Sequence, residues 1–205
     1  MNLKDIFFEL AGNYTIDLQL TEKLWKEIEK KYSGSGRHYH TLHHLGNLQI
    51  QLQEVKHKIQ DWNAIAFSVF YHDIIYSSVK SNNEEKSAEL AVARLKELSV
   101  PHHIISKCTN MILATKKHIQ NEDDDINYFT DADLSILGES WSAYEKYYKQ
   151  IRKEYSLYPD IVYNPGRKKV LDHFLQMERI YKSSYFYDMF ETKARKNLIK
   201  EWRLY

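Results

Sequence analysis

The chain has 205 residues, with 29 Lys or Arg against 28 Asp or Glu and a formal net charge of +1. A balance this close to neutral, without a long Lys/Arg block, argues against nucleic acid as a partner. The single cysteine, Cys108, excludes an internal disulfide and reads as a small buried hydrophobe in a reducing compartment.

No Pro-, Gly- or Ser-rich linker interrupts the sequence, so one domain over residues 1–205 is expected. Six Gly, three Pro and apolar residues recurring at helical spacing predict an all-α fold. The opening segment MNLKDIFFELAG lacks the apolar run of a signal peptide, and no stretch reaches membrane-spanning length. A soluble, cytoplasmic protein without a membrane partner is the expectation; self-association is left open.

In chain order, helices are expected near residues 3–11 and 18–32, then a break at Tyr32-Ser-Gly-Ser-Gly-Arg37. Between about 41 and 60, Leu42, Leu45, Leu48, Leu52, Val55 and Ile59 share one side of a helix. Asp61 should cap a nearly all-apolar central helix running to about Tyr76. After a turn at Ser81-Asn82-Asn83, a helix reaches about Leu98, and Pro101 opens the next. There Ile104, Cys108, Met111 and Thr115 form a stripe that His118 continues. Glu122 to Asp125 reads as a solvated acidic loop, followed by helices over 128–137, 140–155, 166–182 and 187–203, with Asn164-Pro165-Gly166 as a breaker.

His72 and Asp73 end the most apolar helix, where an imidazole and a carboxylate are costly to bury without partners. A divalent metal satisfies both. Helical angles select further ligands: His44 lies on the leucine side of its helix, His40 one turn earlier at its flank, and His43 points to solvent. Asp133 falls beside Phe129, Ala132 and Ile136, whereas Asp131 turns away and is expected to cap its helix or hydrogen-bond a ligand.

His44, then His72-Asp73, then Asp133 spell the order H, HD, D on three helices, and here the chain resembles the HD superfamily of metal-dependent phosphohydrolases. Segments Arg37-His-Tyr-His-Thr-Leu-His-His44, Tyr71-His-Asp-Ile-Ile-Tyr76, Asn83-Glu-Glu-Lys-Ser-Ala88 and Asp131-Ala-Asp-Leu-Ser-Ile-Leu-Gly138 look similar to an uncharacterised bacterial-type branch of it. So do Tyr163-Asn-Pro-Gly-Arg-Lys-Lys-Val-Leu171 and Glu191-Thr-Lys-Ala-Arg-Lys-Asn-Leu198, so that the likeness spans roughly 32–203, with a motif-bearing core over about 32–138 and C-terminal helices over about 139–205.

The resemblance implies an HD-type helical bundle that hydrolyses phosphate esters of small metabolites, nucleotides included, with one or two ions of Mn, Fe, Co, Ni, Mg or Zn. It implies His44, His72, Asp73 and Asp133 as ligands, Asp73 bridging two ions if two are bound, and His118 and His40 completing a second site. Glu84, in the first turn of its helix, is the candidate general base, with helix capping as its alternative role and Glu85 the weaker choice. Arg37 and Arg167 are candidates for binding substrate phosphate. His38, His57, His102, His103 and His173 are expected at the surface or in packing. Two other readings use the same residues, a nonhydrolytic nucleotide or metabolite sensor and a diiron oxygenase; in a third, a metal-free helical module presents sixteen tyrosines and four tryptophans to a partner and the histidines are incidental.

Overall fold

The computed structural model describes residues 2–205, and among them the chain is all α, with ten helices and no strand. They are α1 (Leu3–Gly12), α2 (Leu18–Tyr32), α3 (Leu42–Glu54), α4 (Trp62–Tyr71), α5 (Asn83–Glu97), α6 (His102–Ala114), α7 (Asp124–Asp133), α8 (Trp141–Glu154), α9 (Asp160–Gln176) and α10 (Ser184–Trp202). No described helix is long and apolar enough to cross a membrane. The buried apolar side chains form one core cluster, in which every residue of α4 from Ala64 to Tyr71 is buried.

Asp61 caps α4 as its sequence position suggests, its carboxylate accepting the Ala64 N–H at 3.0 Å. The helix ends at Tyr71, however, well before Tyr76. Side chains from other helices capture the backbone donors beyond it. The Asp73 N–H donates to the Tyr32 hydroxyl at 3.2 Å and the Ile75 N–H to Ser87 Oγ at 3.1 Å. Those bonds replace the next intrahelical turn and turn the chain out just after His72-Asp73.

The acidic stretch is not a solvated loop. Asp123 caps α7, and Asp125 is fully buried, accepting the N–H groups of Gln60 and Asp61 at 2.9 and 2.8 Å and pairing with Lys107 at 2.7 Å. The same carboxylate pins the connection after α3, which stops at Glu54 rather than continuing toward residue 60. Helix α9 runs through Asn164-Pro165-Gly166. Pro165 removes one N–H, but Ile161 one turn back is 84 % exposed, so water can serve the carbonyl left over.

After α7 the chain tightens into a 3-10 turn over Leu134–Gly138, which packs on α10. Gly138 makes that approach: a Cβ there would lie 2.5 Å from Phe190 Cβ and 2.7 Å from the Phe190 carbonyl oxygen. Asp131 takes neither expected role. It is fully buried and accepts the backbone N–H groups of Lys182 and Ser183 at 2.9 and 2.7 Å, and the Ser183 hydroxyl at 2.8 Å. It therefore anchors the start of α10 instead of capping α7 or bracing a ligand.

Candidate metal centre

Three helix ends meet below this frame. His44 sits in the first turn of α3, His72 follows the last residue of α4, and Asp133 closes α7. His44 Nε2 lies 3.2 Å from both His72 Nε2 and Asp133 Oδ1, and His72 Nε2 lies 3.7 Å from Asp133 Oδ1. Asp73 Oδ2 joins them, 3.1 Å from His72 Nε2 and 3.9 Å from His44 Nε2. Ligands about 2.0–2.2 Å from a common ion stand roughly 2.8–3.6 Å apart in neighbouring octahedral or tetrahedral positions and up to about 4.4 Å across an octahedron, so this spacing suits a shared cation. His44, His72 and Asp133 can hold a metal ion.

The donor chemistry fits as well. His72 Nδ1 lies 3.1 Å from the Val69 carbonyl and donates to it, so Nε2 faces Asp73 and is the atom that would ligate a metal once its own proton leaves. Burial opposes a proton on Nε2, yet Asp73 and Asp133 outweigh it and raise the His72 pKa to about 9. Burial likewise works against the charge on Asp73 and Asp133, but facing histidines hold both carboxyls well below their usual range. His44, where burial outweighs Asp133, is shifted down and kept neutral. The cluster thus holds two carboxylates around a point that demands positive charge.

Two more histidines reach it from loops. His118 Nε2 lies 3.0 Å from Asp133 Oδ2, but not by continuing a helical stripe: α6 stops at Ala114, and His118 adopts a left-handed φ of 51° in the turn beyond. His40, ahead of α3, sets Nε2 at 3.8 Å from Asp73 Oδ2. Its Nδ1 donates to Glu154 Oε2 at 2.7 Å. Glu154 is a residue that motif and spacing left unnoticed. Its Oε1 accepts the backbone N–H groups of His38, Tyr39 and His40 at 2.8, 2.8 and 3.0 Å, and its Oε2 also accepts the Tyr76 hydroxyl at 2.8 Å. Burial disfavours the carboxylate, but His40 and those N–H groups pull its pKa down to about 2. A signal was present: Glu154 continues the buried row Tyr144, Tyr148 and Ile151 of α8, where a charge needs a partner.

Both arginines are committed elsewhere. Arg37 donates to the His40 and Ile74 carbonyls, each at 3.0 Å, tying the His40 loop to the chain just past Asp73. Arg167 lines the cavity described next, but it is buried and paired in bidentate fashion with Glu201 at 2.8 and 2.9 Å. Both guanidiniums therefore already have protein partners. His43 is exposed, as are His38, His57, His102, His103 and His173.

A cavity of about 510 Å³ opens over the cluster, with His40, Asp73, His118, Asp133 and Glu84 on its wall. Glu84 lies in the first turn of α5, with Oε2 3.9 Å from Lys116 Nζ; Glu85 turns away and pairs with Lys116 outside the cavity. No family model, curated protein or solved structure matches this chain.

Proposed function

We propose that this chain is a metal-dependent hydrolase of phosphate esters, acting on small phosphorylated metabolites, in keeping with its resemblance to the HD superfamily. The observation that carries the reading is the meeting of His44, His72, Asp73 and Asp133, from sequence positions up to 89 residues apart, in one cluster whose histidines are buried and whose carboxylates line a cavity. A divalent ion held there would lower the pKa of a bound water and offset charge on a phosphoryl group. His40 and His118, each facing a cluster carboxylate, would hold a second ion together with Asp73 and Asp133. Glu84 on the cavity wall would accept the proton of the attacking water. The Val69 carbonyl and Glu154 would fix the His72 and His40 rings so that each Nε2 faces inward. A free, buried Cys108, whose thiol burial raises to about 12, suits a cytoplasmic setting.

The test is metal analysis of wild type and the His72→Ala/Asp73→Ala variant, with phosphatase assays on nucleotides and sugar phosphates in added manganese, cobalt or nickel. Metal and turnover lost together in the variant support the reading. Metal without turnover points to a sensor or, with iron and oxygen consumption, an oxygenase, and a metal-free wild type sinks the proposal.

A further inference from the structure

Beyond the metal ligands the cavity changes character. Its far wall is built by Tyr147, Tyr155, Tyr158, Tyr163 and Val162, from α8, α9 and the link between them. Tyr39 connects the two ends, its ring 4.9 Å from His44 and 4.6 Å from Tyr147. Tyrosine faces receive flat apolar groups well, and a chamber of this size and lining resembles the mostly apolar pockets that enclose small ligands.

Three details narrow the occupant. Among the described residues the Tyr163 hydroxyl has no hydrogen-bond partner and is itself closed to water, so it offers the chamber no accessible polar group. Among the described lining residues the only Lys or Arg is Arg167, and Glu201 neutralises it. Gly166 meets nothing within 4 Å of where a Cβ would stand, leaving open space along α9. A second or third phosphate would lie against tyrosines or beside Asp73, Asp133 and Glu84 with no cation to meet it.

Building on the phosphohydrolase reading, we infer that the substrate is a monophosphate ester whose other half is an uncharged aromatic group, seated in the tyrosine chamber between α8 and α9. The single phosphate lies at the metal end, and the aromatic end supplies selectivity.

The probes are 1-naphthol, 1-naphthyl phosphate, methyl phosphate and ATP, with wild type and Gly166→Leu, which fills the chamber from a helical position where leucine is favoured over glycine. Val170→Phe, on the same wall, replaces it should Gly166→Leu lose its helical circular dichroism. Calorimetry on metal-free protein is expected to detect 1-naphthol binding to wild type that weakens about tenfold or more in the filled variant. With manganese, kcat/KM for 1-naphthyl phosphate should exceed that for methyl phosphate by about tenfold or more, and that ratio should collapse in the variant while metal content holds. Equal 1-naphthol binding by both proteins, or ATP hydrolysed in preference to 1-naphthyl phosphate, overturns the inference. So does absent 1-naphthol binding in a protein that still hydrolyses methyl phosphate. Binding of 1-naphthol without turnover of any ester instead overturns the hydrolase reading and the phosphate half of the assignment, leaving the chamber as a site for an aromatic group.

Discussion

Replacing Glu154 with Gln separates the architecture of the centre from its chemistry. The amide oxygen of Gln can still accept the His38, Tyr39 and His40 N–H groups, but the charge is gone and an N–H donor now faces His40 Nδ1 and the Tyr76 hydroxyl. The His40 proton must then move to Nε2, on the side of Asp73. The energetic scale follows from linkage. The carboxyl shifts from 4.5 to about 2 on folding, its side chain is fully buried, and at about 1.4 kcal/mol per pH unit the gap is worth about 3 kcal/mol. Because the folded pKa lies below the unfolded one, this stability is present above about pH 4.5 and lost as pH falls toward 2. Urea unfolding of metal-free wild type and Glu154→Gln from pH 7 to pH 2 should show a difference of about 2–3 kcal/mol at neutral pH that closes between pH 4.5 and 2. A difference that stays constant with pH would mean that the charge of Glu154 does not hold the loop.

Other changes test neighbouring claims. Asp131→Ala leaves a buried Lys182 ammonium and the N–H groups of Lys182 and Ser183 without their acceptor, and should cost about 3–5 kcal/mol in urea unfolding; a loss below about 1 kcal/mol contradicts its anchoring role. Gly138→Ala forces a Cβ into the Phe190 backbone and should lower stability by about 1–3 kcal/mol, a fall in Tm of roughly 3–10 °C, while an unchanged melt would show that α10 yields there. His44→Ala should weaken manganese binding by about 100-fold or more, beyond the effect typical of an outer partner, whereas His43→Ala at the exposed neighbouring position should leave it within about twofold; equal losses would undo the helical assignment of the ligand.

The sequence is most legible where local rules decide the outcome. Asp61 caps α4 and His44 faces inward while His43 does not, because capping and the 3.6-residue period act within one turn. It is least legible where a distant side chain competes for the backbone. Nothing near Tyr71 announces that α4 ends there; the reason lies in Tyr32 and Ser87, on other helices. Asp125 looks like one charge in an acidic run until Gln60, Asp61 and Lys107 gather around it. The partners of the arginines are hidden for the same reason, since Glu201 lies far from Arg167 in sequence and the acceptors of Arg37 are backbone carbonyls.

His118 shows how a residue can be placed correctly by an incorrect route. The stripe from Ile104 through Thr115 predicts an inward side chain at 118, but the helix has ended and a left-handed backbone turns the ring toward Asp133. For a non-glycine residue that conformation is unfavourable, and it persists where surrounding contacts over-determine it. The inward contact is the one His118 Nε2 makes with Asp133 Oδ2 at 3.0 Å. Asp73 and Asp133 draw positive charge into a buried space strongly enough to raise His72 to about 9, and His40 and His118 approach the same two carboxylates from opposite loops. Histidines from two loops and two helix ends meet around one pair of carboxylates, a grouping that could hold a cation, and hydrophobic periodicity alone does not encode such a meeting.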